Sequence, residues 1–341
     1  MRPRPSEWLP RPRLAEGRQF TFLIVAPRYT HRSSGVRALY RLCHHLNHAG
    51  YPAAVVAWNG LRGSRHQESA FRRLGGAGYR VARALWHLIG PADLSPWDVP
   101  GYRGPACDAI VIYPEVVPGN PLRASKVVRW VLNSPGLLGG DAVYPDSEML
   151  FAYDLQKLPD INAAVSQPIG AGRVLWVGLV DPAHIYPDAS VPKVLDCSFT
   201  HKGSALRRKF PLGPGAPMKR LEDLTPTMAA LGDTLRRTRT LYSYDHYSNL
   251  LREAAISGCV VRVPDARGVW HDPEGCDCPL NILWTPGFRD TYAARFHDRG
   301  FVPGFVEQLA ARWAVPPADA GWAAQLPEVR GRVFGGSRVR Y

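Results

Sequence analysis

Two acidic residues eight positions apart lie in the segment of the chain whose residue types and spacing are best suited to binding or catalysis. Asp245 follows the strand-like run 240–244, and Glu253 lies in the helix-forming run 248–257. Parallel sheets bind ligands at the carboxyl ends of their strands, so Asp245 is expected at such an edge. The helix N-terminus would face an anion such as a diphosphate, and Glu253 would accept hydrogen bonds from ribose hydroxyls. Either Asp245 or Ser248 can cap this helix, and the structural alternative makes Asp245 only a cap and Glu253 only a solvated helix residue.

The elements that must position these residues begin with a βαβ unit. Residues 20–26 and 53–57 read as buried strands, and 36–47 has helical spacing with Gly50 as its C-terminal cap. Such a unit implies a parallel sheet with a right-handed crossover. Strands at 108–113 and 126–132 extend this first set, which is expected to end near residue 165, and residues 146–155 read as helix or loop.

A second α/β set follows the first. We predict strands at 173–177, 191–199, 240–244 and 259–263 and helices at 224–237, 248–257 and 301–315. The fold class is therefore α/β, with two Rossmann-like domains that face one cleft. The predicted domain boundaries are a basic, Pro-rich extension (1–19), a first domain (20–165), a second domain (166–315) and a basic, loosely ordered tail (316–341).

Composition and charge narrow the classes of function. Of the 341 residues, 45% are hydrophobic, which is enough to build a core and argues against a disordered chain. No apolar run approaches the ~18–20 residues of a membrane span, and no signal-peptide pattern opens the chain, so we expect a cytoplasmic protein. The net charge of +13 and the basic ends suit an anionic membrane surface or a phosphate-bearing substrate. No zinc-finger, RRM or convincing helix-turn-helix pattern is present, so nucleic acid is not expected.

No metal site is predicted. Cys276 and Cys278 follow His271 and could form half of one, but a second ligand pair at usable spacing is missing. The chain also lacks a G-x-G-x-x-G motif, a P-loop, G-x-S-x-G and H-E-x-x-H, which argues against several common enzyme classes.

The acidic pair also carries a resemblance to a known family. Asp245-x7-Glu253 with the following run 254–261 resembles the Glu-x7-Glu signature of GT-B glycosyltransferases, with Asp in the first position. Three further segments resemble bacterial polysaccharide glycosyltransferases, including the rhamnosyltransferase-like group: residues 33–50, 112–121 and 127–136. The resemblance covers residues 20–265.

In this family the second domain holds a nucleotide-sugar donor. The resemblance implies that Glu253 binds the nucleotide ribose and that Asp245 contacts the donor sugar or diphosphate as a catalytic residue. The turn Thr200-His201-Lys202-Gly203 would form the other donor wall, with Lys202 neutralising the diphosphate beside Gly203. An exposed lysine in an ordinary turn is the alternative. The remaining donor-side candidates are Tyr244, Ser248 and Asn249.

The first domain would then hold the acceptor and a general base. Glu115 directly follows strand 108–113 and could take the proton of an acceptor hydroxyl. Its alternative role is a hydrogen bond to Asn120 or to a backbone N–H. The acceptor-side candidates in and after the first βα loop are His31, Arg32 and Gly35.

The sequence thus predicts a metal-independent hexosyl- or deoxyhexosyl-transferase without a cofactor. It would move a sugar from a nucleotide-sugar to a hydroxyl of a bacterial surface glycan or lipid-linked acceptor. Its expected location is the cytoplasm, with peripheral contact at the inner face of the membrane. The alternatives are a sugar-nucleotide 2-epimerase of the same fold and a non-catalytic protein that binds glycans or polyanions.

Overall fold

The computed structural model describes residues 20–58, 95–97, 99–102, 104–212, 218–246, 248–271 and 288–325. It is α/β, with one parallel and one mixed sheet, consistent with Rossmann-like folds. The chain divides into two compact units. The first unit comprises the residues up to Thr30, Leu39–Trp176 and those from Arg299 onward, and the second comprises His31–Ala38 and Val177–Asp298.

A six-stranded parallel sheet forms the centre of the first unit. Its strands are β1 (Phe22–Ala26), β2 (Ala53–Ala57), β3 (Gly101–Tyr102), β4 (Ile110–Pro114), β5 (Lys126–Val131) and β6 (Met149–Ala152). The spatial order is β3-β2-β1-β4-β5-β6, which is the order of a doubly wound sheet. Every residue of β1 and β4 is buried, as expected for parallel strands covered on both faces.

Helix α1 (Ser34–His48) confirms the predicted βαβ unit. Its apolar positions Val36, Leu39, Cys43 and Leu46 are buried, which is the helical spacing seen in the sequence. The chain leaves the helix through Gly50 at a φ of +85°, a left-handed conformation that favours glycine.

Further helices among the described residues of the first unit are α2 (Leu158–Asn162), α8 (Phe301–Ala310) and α9 (Ala320–Gln325). Helix α8 belongs to the first unit, whereas the sequence analysis placed it in the second domain. Within this unit Phe305 of α8 packs on Phe22 and Phe151.

Three local predictions in the first unit are corrected. Residues 146–155 contain the short strand β6, and 173–177 form one isolated bridge, Ala152 to Val174, instead of a strand. The tail that was expected to be loosely ordered contains α9, where Trp322 is buried and its Nε1 donates a hydrogen bond to Asn47 at 2.8 Å. Residues 326–341 of that tail lie outside the described residues.

A five-stranded mixed sheet forms the second unit. Its strands are β7 (Leu195–Phe199), β8 (Lys219–Arg220), β9 (Thr238–Ser243), β10 (Val260–Pro264) and β11 (Trp270–His271). Its helices are α3 (Ser204–Lys209), α4 (Leu221–Leu224), α5 (Met228–Arg237), α6 (Asn249–Ile256) and α7 (Phe288–His297). In the described part of this sheet, β7, β8, β9 and β10 pair in parallel, whereas β11 pairs antiparallel with β10.

The strand order β11-β10-β9-β7-β8 creates a topological switch point. From β7 the chain first moves to β8 on one side and then returns to β9 and β10 on the other. Open α/β sheets bind ligands outside the carboxyl ends of the strands at such a point. In the second unit this position lies between the loops that follow β7 and β9.

No helix within the described residues is long and apolar enough to cross a bilayer.

Candidate functional site

A cavity of about 160 Å³ lies in the second unit. It is bounded by the end of β7, the N-terminal part of α6, helix α4 and residues 31–37, all of which belong to that unit. Its polar lining includes His31, Arg32, Arg37, His201, Ser248 and Glu253. The cavity therefore joins residues that the sequence analysis had divided between a donor side and an acceptor side.

Asp245 and His201 meet across the switch point. Asp245 follows the end of β9 by two residues, as predicted, and only 2% of it is exposed. Its Oδ2 lies 3.0 Å from Nδ1 of His201, in the loop after β7. Because a carboxylate only accepts hydrogen bonds, Nδ1 carries the hydrogen. The His201 ring also stacks on Phe199, with the ring planes 9° apart.

Ser248, and not Asp245, caps helix α6. Its Oγ accepts a hydrogen bond from the backbone N–H of Leu250 at 3.3 Å. The helix ends before Gly258, whose φ of +81° matches the predicted C-terminal cap. Ser248 also lines the cavity, so the N-terminal turn of α6 opens toward that space.

Glu253 lies in the wall of the cavity and is only 1% exposed, so it is not a solvated helix residue. Its Oε1 accepts hydrogen bonds from Nη1 of Arg37 at 2.7 Å and from Nδ2 of Asn249 at 3.3 Å. Among the described residues, the hydrogen bonds to this carboxylate all fall on Oε1. Arg37 also donates to the carbonyl of Leu179, which fixes the pair.

His31 and Arg32 belong to the second unit, not to the unit where the sequence analysis placed them. Nε2 of His31 donates to the carbonyl of Thr225 at 3.0 Å, and Nη2 of Arg32 donates to the carbonyl of Glu222 at 3.0 Å. Gly35, the third acceptor-side candidate, lies in the first turn of α1, which also belongs to the second unit.

The remaining donor-side candidates have mainly structural contacts. A Cβ at Gly203 would overlap the carbonyl of Tyr244, so the close approach at this glycine is to protein backbone. Tyr244 is buried, its hydroxyl donates to the carbonyl of Phe210 at 2.8 Å, and burial raises its pKa. Lys202 is partly buried in the 201–203 turn and is not among the residues that line the cavity.

Glu115 lies in the first unit, directly after β4, as the sequence predicts. It is buried, and its Oε2 accepts a hydrogen bond from the backbone N–H of Leu132 at 3.0 Å. This contact is the backbone alternative considered for Glu115, while Asn120 bonds the hydroxyl of Tyr113 instead. The catalytic role of Glu115 stays a prediction.

Three ionisable residues of the cavity are not individual candidates in the sequence analysis: Arg37, His201 and Glu222. Glu222 organises the loop after β7, since its Oε1 accepts from the backbone N–H of Thr200 at 3.0 Å. The sequence analysis names His201 only as part of the turn 200–203. Its position next to Lys202 and Gly203 could have indicated that it also faces a ligand. Arg37 had no sequence signal, because its partner is 216 residues away.

Within the described residues, no group of three or more His, Cys, Asp or Glu side chains could hold a metal ion. His271 instead pairs with Asp265 at 3.2 Å. Cys276 and Cys278 lie outside the described residues.

Comparison with protein-family models finds no match to this chain, and comparison with curated proteins finds no similar sequence. The resemblance to GT-B glycosyltransferases therefore stays a prediction that rests on its motifs.

Proposed function

We propose that this protein is a glycosyltransferase whose second unit binds a nucleotide-sugar donor. The observation that carries the proposal is the Glu253 carboxylate in the cavity wall beside the switch point. Arg37 and Asn249 engage Oε1 of that carboxylate, and we assign Oε2 to the ribose hydroxyls of the nucleotide. A buried carboxylate with a fixed orientation and one oxygen directed to the ligand binds a diol better than a solvated carboxylate does. The fixed carboxylate does not have to be ordered when the diol binds.

The cavity also offers partners for the diphosphate of such a donor. The N-terminal turn of α6, capped by Ser248, presents backbone N–H groups and a positive helix end. Arg32 and His31 line the same space. In the transfer, the bond between the anomeric carbon and the diphosphate oxygen breaks, and its electron pair stays on the diphosphate. The acceptor oxygen bonds to the anomeric carbon and passes its proton to a general base, the role that the sequence predicts for Glu115. Groups that stabilise the growing phosphate charge lower the barrier.

The proposal includes the finer features that the sequence predicts. The two units would face one cleft in the GT-B manner, with the acceptor bound by the first. The acceptor would be a hydroxyl of a surface glycan or of a lipid-linked glycan. The enzyme would act in the cytoplasm, and its basic ends would contact the anionic inner face of the membrane.

A product assay tests the proposal. The protein is incubated with a panel of nucleotide-sugars and lipid-linked or oligosaccharide acceptors, and the products are separated by mass. Free nucleoside diphosphate together with an extended acceptor is the expected result. An epimerised sugar-nucleotide would instead assign the cavity to a 2-epimerase. No turnover of any donor, with tight and salt-sensitive polyanion binding, would replace the proposal by a binding role.

A further inference from the structure

The loop after β7 holds a histidine in an unusual backbone conformation. His201 has a φ of +29°, a left-handed conformation that side-chain-bearing residues rarely adopt. Such strain persists where the surrounding structure enforces it, and it concentrates at ligand sites. Here the side chain is fixed from two directions, by Oδ2 of Asp245 and by the ring of Phe199. About 40% of the His201 side chain is nevertheless exposed, while Asp245 is buried.

The Asp245 contact determines which nitrogen of His201 meets a ligand. Nδ1 is used by the carboxylate at 3.0 Å, so Nε2 is the nitrogen available to a molecule in the cavity that His201 lines. The carboxylate on Nδ1 holds the ring in one orientation. Lys202, the cation that the sequence favours, does not line that cavity.

The groups around His201 determine what an anion needs in order to bind there. Arg37 is paired with Glu253 at 2.7 Å, and Arg32 bonds the backbone of Glu222, so the lining carries equal numbers of cationic and anionic side chains. Asp245 behind His201 adds one negative charge. The elements around His201 also carry the cations Lys202, Arg207, Arg208 and Lys209, the anion Asp223, and the histidines His31 and His246. Because Nδ1 carries the hydrogen, a neutral His201 presents only an acceptor at Nε2, which opposes an anion.

We propose that His201, oriented by Asp245, is the cationic ligand of a diphosphate in this cavity and that binding takes up a proton at its Nε2. Asp245 is then a positioning residue that acts through His201 and does not itself touch the donor. The inference rests on the proposed function for the identity of the anion. Its test does not, because inorganic pyrophosphate carries the same diphosphate chemistry without nucleoside or sugar.

The experiment is isothermal titration of the full-length protein with inorganic pyrophosphate at pH 7, in two buffers with different heats of ionisation. The difference between the buffers gives the number of protons taken up. We expect His201→Gln, which keeps a donor near Nε2 but cannot be charged, to bind at least tenfold more weakly. Proton uptake should fall by up to one proton relative to wild type. The comparison at one pH cancels the titration of pyrophosphate itself.

The second unit offers a matched control. His271 also pairs with an aspartate, Asp265, at 3.2 Å, but it does not line the cavity. His271→Gln is expected to leave both affinity and proton uptake unchanged. Asp245→Asn should weaken binding in the wild-type background and have no further effect in the His201→Gln background, because it acts through His201.

Several results would overturn the inference. The first is a His201→Gln variant with wild-type affinity and proton uptake. The second is a larger loss of pyrophosphate affinity in Lys202→Ala than in His201→Gln. The third is the absence of saturable pyrophosphate binding to the wild type. If His201→Gln does not fold, nitrogen-15 NMR of labelled histidines in the wild type decides, since pyrophosphate must shift one histidine toward the imidazolium. Pyrophosphate binding of this kind without glycosyl transfer would reject the proposed function alone. Transfer with unaltered binding by His201→Gln would reject only this inference.

Discussion

Each unit buries an Arg–Glu ion pair with a 2.7 Å contact, yet the two pairs are built differently. In the first unit, Nε and Nη2 of Arg129 donate to both carboxylate oxygens of Glu148. The other donors of Arg129 reach the backbone carbonyls of Val117 and Gly119. In the second unit, the described hydrogen bond from Arg37 to the Glu253 carboxylate falls on Oε1, and that carboxylate borders a cavity.

Under the proposed function, the difference separates a structural pair from one that takes part in recognition. A fully bonded pair repays the cost of burying its charges, and here it also fixes the loop after β4. A pair that uses one carboxylate oxygen beside a cavity keeps hydrogen-bonding capacity for a ligand. Two histidines differ in the same way. His45 is buried in the first unit, whereas about 40% of the His201 side chain is exposed in the second.

The largest expected effect is on the stability of the first unit. Glu148→Ala leaves the fully buried Arg129 without its carboxylate, and breaking such a pair costs about 3–5 kcal/mol. Urea unfolding followed by circular dichroism measures the loss. A cost below about 1 kcal/mol would show that this pair is no more structural than an exposed one.

The next effect concerns ligand affinity in the second unit. Glu253→Gln should weaken binding of the donor nucleoside diphosphate about tenfold or more, since a hydrogen bond to a charged group contributes about 1.5–3 kcal/mol. Glu253→Ala should weaken it further, because the amide keeps one acceptor. The matched control is Glu148→Gln, which should change stability and leave the affinity within about twofold. Equal affinity losses in the two Gln variants, measured by calorimetry on folded protein, would remove the distinction between the pairs.

Acidic pH should destabilise the protein through the buried side chain of His45. Burial, reinforced by Arg41, lowers the pKa of His45 to about 2, against about 6.5 in an unfolded chain. As the pH falls below 6.5, the unfolded state therefore takes up the proton first, and stability decreases by about 1.4 kcal/mol per pH unit. Above pH 6.5 this contribution is constant.

Unfolding at pH 7, 6 and 5 measures that slope. His45→Leu should reduce it by about 1.4 kcal/mol per pH unit. The same slope in His45→Leu as in the wild type would contradict a neutral, buried His45.

The smallest effect compares two helix caps. Ser248 caps α6 beside the cavity, and Thr227 caps α5, where its hydroxyl accepts from the N–H of Ala230 at 3.1 Å. Each change to alanine should cost about 1 kcal/mol of stability. Only Ser248→Ala should also weaken nucleoside diphosphate binding, and a comparable loss in Thr227→Ala would mean that the effect comes through stability alone.

The sequence predicts helices and strands correctly where apolar spacing or a capping residue is clear. The β1–α1–β2 unit, the strand before Asp245 and the Ser248 cap all follow from apolar spacing and capping residues within a few positions. The sequence does not predict strand β6, because four residues carry too little periodicity. Residues 173–177 pair with β6 through a single bridge, Ala152 to Val174, which is too little pairing for the strand that the apolar run predicts.

Only part of the candidate site could be predicted, because residues that lie far apart in the sequence come together to form it. Arg37 meets Glu253 across 216 positions, and His31 meets Thr225 across 194. Sequence motifs identified the α6 side of the cavity, where the residues are close in the chain. No local pattern indicates that residues 31–37 join the second unit, so His31 and Arg32 were assigned to the other one.

The most direct test of the central claim is the thermal unfolding of the wild type with a panel of nucleoside diphosphates. A donor nucleotide present at 100 times its dissociation constant should stabilise the protein by about 2.7 kcal/mol. The account predicts that one member of the panel does so and that Glu253→Ala abolishes its effect. If no nucleoside diphosphate stabilises the wild type, or if Glu253→Ala responds as the wild type does, the second unit does not bind the donor in the way described.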